Sequence, residues 1–267
     1  MSSVDTTPLL QLDAERPSLG RKQSLLLISL LAVAIAAGQV SLFYAPHAGV
    51  YITTLALALV MALSTRTEAQ ARAVITSTAV IPLLSLVNLS IVQQSAFSQT
   101  AILYVPMLIL GLIYSYIFRR KTENIQDTRH LRFYIVGIIG SLSVGAAIGA
   151  LCYLLLKGAY VFEGIHLQLV FAVAAVGALA EEFLFRGLIL RHALEMTRPI
   201  YAVLFTTLLY GTLSLSHFSN WSLPLGLLTA AVLSTLYAKT HNLVLTITLN
   251  MASKFVYLGL IAKYLLH

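Results

Sequence analysis

The sequence predicts an all-α fold, a polytopic transmembrane helical bundle of eight to nine helices. Three observations carry that expectation. Hydrophobic residues make up 58% of the chain and charged residues only 10%, where a soluble domain carries about 25% charged residues. The mean hydropathy is +0.86. The apolar residues fall in long unbroken runs without the alternation of a barrel strand, and helices and closed barrels are the two backbones that can cross a bilayer.

The runs follow in order. Met1–Lys22 is polar, mixed in charge and contains Pro8 and Pro17, so it reads as a disordered cytoplasmic tail. Ser24–Tyr44 is too long for a signal-peptide core and reads as a retained first span. The run 48–64 is short against the ~20 residues a span needs, which predicts a tilted or partial crossing. Runs 73–91 and 99–118 follow, with Pro82 and Pro106 placed to start or kink helices. The lone amide Asn88 reads as an interhelical hydrogen bond. Residues 119–132 form the one strongly polar break. In the run 133–156, Gly137, Ser141, Gly145 and Gly149 recur four apart, a stripe along which another helix can approach closely. The runs 167–196, 200–217, 222–238 and 243–266 complete the set, with Pro224 near the start of its helix. This divides the chain into a tail (1–22), N-terminal transmembrane helices (23–132) and a transmembrane core (133–267).

The net charge of +7 points to lipid and not to nucleic acid. Its carriers, such as Arg119, Arg120, Lys121, Arg129 and Arg132, lie between the apolar runs, the pattern of cytoplasmic loops facing anionic lipid. Basic and neutral loops alternate, which places the N-terminus in the cytoplasm of a bacterial-type cytoplasmic membrane. Cys152 is the single cysteine; it lies in an apolar run and reads as an inert buried thiol.

The chemistry is confined to 133–266. Glu181 and Glu182 follow the uncharged run Leu167–Ala180, and a carboxylate in hydrocarbon costs roughly 2.5–3.5 kcal/mol on insertion scales. Such a pair needs partners. Glu182 and Arg186 are i and i+4, the spacing of a structural ion pair on one helix face. Glu181 points ~100° away and has no partner on its own helix. An unpartnered acid of this kind suits a general base that activates water. His217 lies at the far end of the next apolar run. Thr197–Pro199 reads as the tip of a helical hairpin, and Glu181 and His217 lie about 17 and 19 residues from it, or ~26 and ~28 Å at helical rise. The hairpin therefore sets the two side chains at one depth. Thr206, Tyr210, Leu213 and Ser214 mark the same face as His217. On the last helix Thr246, Asn250 and Lys254 are four apart, with Ser253 beside them. This polar stripe on an apolar span should face the bundle interior.

The motif Glu181-Glu182-Phe183-Leu184-Phe185-Arg186-Gly187, followed by a histidine on the next helix, resembles the CAAX protease and bacteriocin-processing (Abi) family of intramembrane proteases. The resemblance covers about 133–266. It implies peptide-bond hydrolysis, with Glu181 activating water and His217 holding the water or the oxyanion. It also implies a possible divalent metal such as zinc, with Glu181 and His217 among its ligands. Two positions depart from the pattern. The motif Phe-x-x-x-His becomes Leu213-x-x-x-His217, a mild change. The motif His-x-x-x-Asn becomes Asn250-x-x-x-Lys254, which removes a metal ligand and a proton carrier and adds an ammonium.

The resulting expectation is a membrane endopeptidase acting on a protein or peptide substrate. Glu181 and His217 are its catalytic residues, and Asn250 or Lys254 supplies a further donor. Lys254 is also expected to pair with Glu181 and to slow or abolish hydrolysis. Two other readings stand beside it. One is a catalytically impaired family member acting as a membrane scaffold or bacteriocin-immunity factor. The other is a proton-coupled carrier using Glu181 and Glu182 as a relay, against which the lack of an internal repeat counts.

Overall fold

A computed structural model describes residues 21–64, 67, 69–90, 104–105, 107–109, 131–156, 167–213 and 222–265. Their regular structure is entirely helical. Helix α1 spans Arg21–Tyr44 and α2 Pro46–Ser64, followed by α3 (Ala69–Thr78) and α4 (Val80–Ser90). Then come α5 (Leu131–Leu155) and α6 (Leu167–Glu182), a π-helical segment over Phe183–Leu190, and α7 (Arg191–Met196). The remaining helices are α8 (Pro199–Leu213), α9 (Ser222–Thr240) and α10 (Leu243–Leu265).

Five of these helical stretches are long and apolar enough to cross a membrane: Gln23–Tyr44, Pro46–Ser64, Tyr134–Leu155, Gln168–Met196 and Leu223–Thr240. Ala71–Leu86, Pro199–Leu213 and Leu243–Gly259 are shorter apolar helices. Large apolar side chains such as Leu26, Tyr51, Val136 and Leu154 are exposed on the outside, as lipid rather than water requires. This is the polytopic helical bundle of an integral membrane protein.

Two elements differ in detail from the apolar runs. The short run 48–64 is a full-length candidate span because its helix starts at Pro46, where the missing N–H costs nothing. The single run 73–91 is broken at Ala79, whose N–H bonds Thr76 O at 3.2 Å. The cause is Pro82, which cannot donate to the carbonyl of Thr78 and whose ring crowds it.

The elements that carry the polar side chains are locked by local chemistry. Between α9 and α10, His241 takes the left-handed region with φ 49°. Asn242 Oδ1 then caps α10 by accepting from the N–H groups of Val244 (2.9 Å) and Leu245 (3.4 Å). The small-residue stripe of α5 lies along α10. A Cβ added at Gly145 would overlap the carbonyl of Leu249, and one at Gly149 the carbonyl of Ser253. Those bare positions fix the height and rotation of α10, and hence where Asn250 and Lys254 point. On the other side, Phe185, Leu184 and Ile189 of the π segment join the main core with Ile35, Val60, Ile75, Ile81 and Leu209.

Candidate active site

Glu181 and Glu182 end α6, and the backbone widens into a π-helix directly after them. Such widened turns are costly and concentrate at functional sites. The widening leaves the expected ion pair intact. Arg186 Nη1 is 3.0 Å from Glu182 Oε1, and both side chains are fully buried. The guanidinium also donates from Nη2 to the carbonyl of Ala230 on α9 at 3.3 Å. It stands 4.8 Å from the centre of the Tyr210 ring, within cation–π range.

Glu181 finds its partners on three other elements. Its Oε1 accepts from Lys254 Nζ at 2.9 Å and from the Tyr104 hydroxyl at 2.8 Å. Its Oε2 accepts from the Tyr210 hydroxyl at 2.7 Å and from Asn250 Nδ2 at 3.1 Å. Asn250 Nδ2 also donates to Glu182 Oε1 at 2.8 Å. One amide thereby ties the two adjacent carboxylates together, although their side chains leave the helix in different directions. Lys254 Nζ in addition lies 3.4 Å from the Tyr104 oxygen and 5.3 Å from its ring centre.

Five of the residues singled out from the sequence, Glu181, Glu182, Arg186, Asn250 and Lys254, thus form one connected network. The ion pair expected between Lys254 and Glu181 is present. His217, and with it its distance to Glu181, lies outside the described residues, as does Ser214. On α8 the residue that reaches Glu181 is Tyr210, while Thr206 turns back to the carbonyl of Ala202 at 3.0 Å. Tyr104 was not anticipated. It is one of 13 tyrosines in an apolar run with no charge beside it. The nearest thing to a signal is Gly177, one turn before Glu181: a Cβ there would sit 3.2 Å from the Tyr104 ring, so the glycine leaves the slot the ring fills.

The arrangement has definite chemical consequences. A carboxylate offers about four lone-pair positions, and four donors converge on Glu181. Asn250 spends both amide hydrogens on carboxylates, so it has none left for a developing oxyanion, contrary to the role open to it from the sequence. Lys254 keeps donor capacity, since an ammonium has three hydrogens and two contacts are in place. The site is graded in exposure: the Glu182 and Arg186 side chains are fully buried, Glu181 is 7% exposed and Lys254 23%. Lys254 therefore lies on the open side.

Among the described residues, the donors around Glu181 do not fit a divalent metal, while His217 lies outside them. Among the described residues no three His, Cys, Asp or Glu side chains gather around a common point. The place beside Glu181 Oε1 is held by an ammonium, which repels a cation and offers no lone pair. A separate cavity of about 290 Å³, lined by Leu25, Val74, Met196, Tyr201 and Phe205 among others, lies by the α7–α8 turn and shares no residue with this network.

No curated protein and no solved structure matches the chain. A family model does match, over residues 163–256, within which Glu181, Glu182, Arg186, Tyr210, Asn250 and Lys254 all lie. That segment matches the type II CAAX prenyl endopeptidase Rce1-like family, the family that the Glu-Glu-x-x-x-Arg motif resembles.

Proposed function

We propose that the chain is an intramembrane endopeptidase of the CAAX protease type that hydrolyses a peptide bond at the membrane. Glu181 activates the water, and Lys254 guards its Oε1. The observation that carries this reading is the buried Glu181 carboxylate, held in the family-like segment by donors from three other elements. A general base must offer a lone pair within hydrogen-bond reach of the water's proton. Tyr210 and Asn250, both buried, hold Oε2, so Oε1 is the working oxygen. It becomes available when Lys254 swings aside on its flexible stem. The freed ammonium then has hydrogens for the oxyanion of the tetrahedral intermediate, and the resemblance gives His217 a part in the same task.

Saturation of Glu181 by four donors also supports a second reading. If Lys254 never leaves, the chain is a catalytically impaired relative that acts as a membrane scaffold or immunity factor. One experiment separates the two. The full chain and its Glu181→Gln variant are reconstituted in liposomes and incubated with a peptide library, and the products are read by mass spectrometry. Cleavage by the wild type that falls at least a hundredfold in Glu181→Gln, within the range general-base catalysis supplies, supports the peptidase. No cleavage by either chain, or equal cleavage by both, sinks it.

A further inference from the structure

We propose that Tyr104 is a positioning residue of this site: it holds Lys254 on Glu181, and it does so from outside the segment that carries the family match. The proposal rests on the peptidase reading only for its consequence, since the contact itself is independent of any reaction. Tyr104 belongs to the helical residues 104–105 and 107–109, whereas the family match begins at residue 163.

The phenol engages both members of the ion pair. Its hydroxyl donates to Glu181 Oε1 at 2.8 Å. Its oxygen accepts from Lys254 Nζ at 3.4 Å, and its ring centre lies 5.3 Å from that ammonium. Gly177 gives the ring its place, because any side chain there would press on it. Met107, one turn further on, is buried in the main core with residues of α1 and the π segment, so the segment that bears Tyr104 is anchored from behind. A lysine on a four-carbon stem has many rotamers. Among the donors to Glu181, Lys254 has the longest and most flexible side chain, and it is the one that most needs a second contact to stay in place. Tyr104 supplies a hydrogen-bond acceptor and an aromatic face together. The working oxygen of Glu181 is thus governed by a residue from the N-terminal part of the chain.

The test reads Lys254 directly. The full chain in lipid nanodiscs is treated with a membrane-permeant amine-acylating reagent. Modification of Lys254 is measured by mass spectrometry against exposed Lys239, with thermal stability followed in parallel. Tyr104→Phe keeps the ring and removes the oxygen. Lys254 should then be modified roughly tenfold faster relative to Lys239, the factor that one hydrogen bond to a charged group is worth, with little change in melting temperature. Gly177→Val, whose Cβ would come within 3.2 Å of the ring and press it aside while leaving the hydroxyl, is read in the same way and stands in if Tyr104→Phe does not fold. Modification at the wild-type rate in the variant that folds overturns the proposal. Because this readout involves no peptide, it is unaffected if the chain proves not to be a peptidase.

Discussion

Lys254 and Glu181, 73 residues apart in the chain, meet at 2.9 Å. The ammonium occupies the side of the carboxylate that faces the more open part of the site, where the resemblance would place a neutral amide. A neutral amide can give way to water at small electrostatic cost. An ammonium in a partly buried site gives way only at a larger cost, because each charge is left without its counterpart. On the proposed peptidase reading, the side chain at position 254 is what separates a working base from a guarded one.

Replacing both departing residues should open the site. Asn250→His with Lys254→Asn restores the family pattern, removes the ammonium from Oε1 and frees one amide contact on Oε2. We expect the double variant to cleave a reconstituted peptide library about tenfold or more faster than wild type, an increment equal to roughly 1.4 kcal/mol of barrier. Equal rates would mean that Lys254 does not restrain Glu181 and acts as a donor in its own right.

Glu182 should matter for folding rather than for turnover. Its partner Arg186 is fully buried and has no solvent to turn to, and Asn250 also leans on Glu182. Glu182→Gln leaves the guanidinium uncompensated, at a cost of about 3–5 kcal/mol. The melting temperature in detergent should fall clearly. An unchanged melting temperature would mean that the pair contributes nothing to the fold.

The helical bundle was legible because composition alone excludes a soluble chain, and Glu181, Glu182, Arg186, Asn250 and Lys254 were legible because a charge or amide inside an apolar run stands out against its neighbours. Spacing gave Glu182 and Arg186 as a pair because i and i+4 still meet when the backbone widens. The widening itself, over Phe183–Leu190, has no signal in a run of Phe, Leu, Ile and Gly that would serve an α-helix equally well. The break at Ala79 was half visible, since Pro82 marks a kink but not the residue at which the helix gives way. Tyr104 was not legible at all: a tyrosine in an apolar helix suits a lipid interface as well as a carboxylate, and the carboxylate it serves lies 77 residues later.

The close approach of α5 and α10 should set the geometry of the site from a distance. Gly149 faces the carbonyl of Ser253, the residue before Lys254, and the side chain of Val256. Gly149→Val cannot be accommodated unless α10 moves outward or rotates, and overpacking of this kind costs roughly 1–3 kcal/mol. We expect lower thermal stability together with faster acylation of Lys254 relative to Lys239, because the ammonium is carried off Glu181. Cys152, one turn along α5 and half-buried, serves as the contrast: Cys152→Ala should alter neither quantity by a comparable amount. Gly149→Val with unchanged stability and unchanged Lys254 reactivity would show that α5 does not hold α10 in register.

The orientation of the chain decides from which side a substrate reaches Glu181. Lys and Arg collect within residues 119–132, and Arg198 stands at the α7–α8 turn, so the positive-inside rule predicts that both lie in the cytoplasm together with the N-terminus. On that prediction Glu181 lies at most ~26 Å from that turn at α-helical rise, and the site is expected in the outer half of the membrane. A reporter active only outside the cell, inserted between Arg119 and Arg132, should stay silent, while the same reporter in the neutral stretch 92–98 should be active. The opposite pattern would invert the topology and bring Glu181 to the cytoplasmic half, where a substrate would have to arrive from inside the cell.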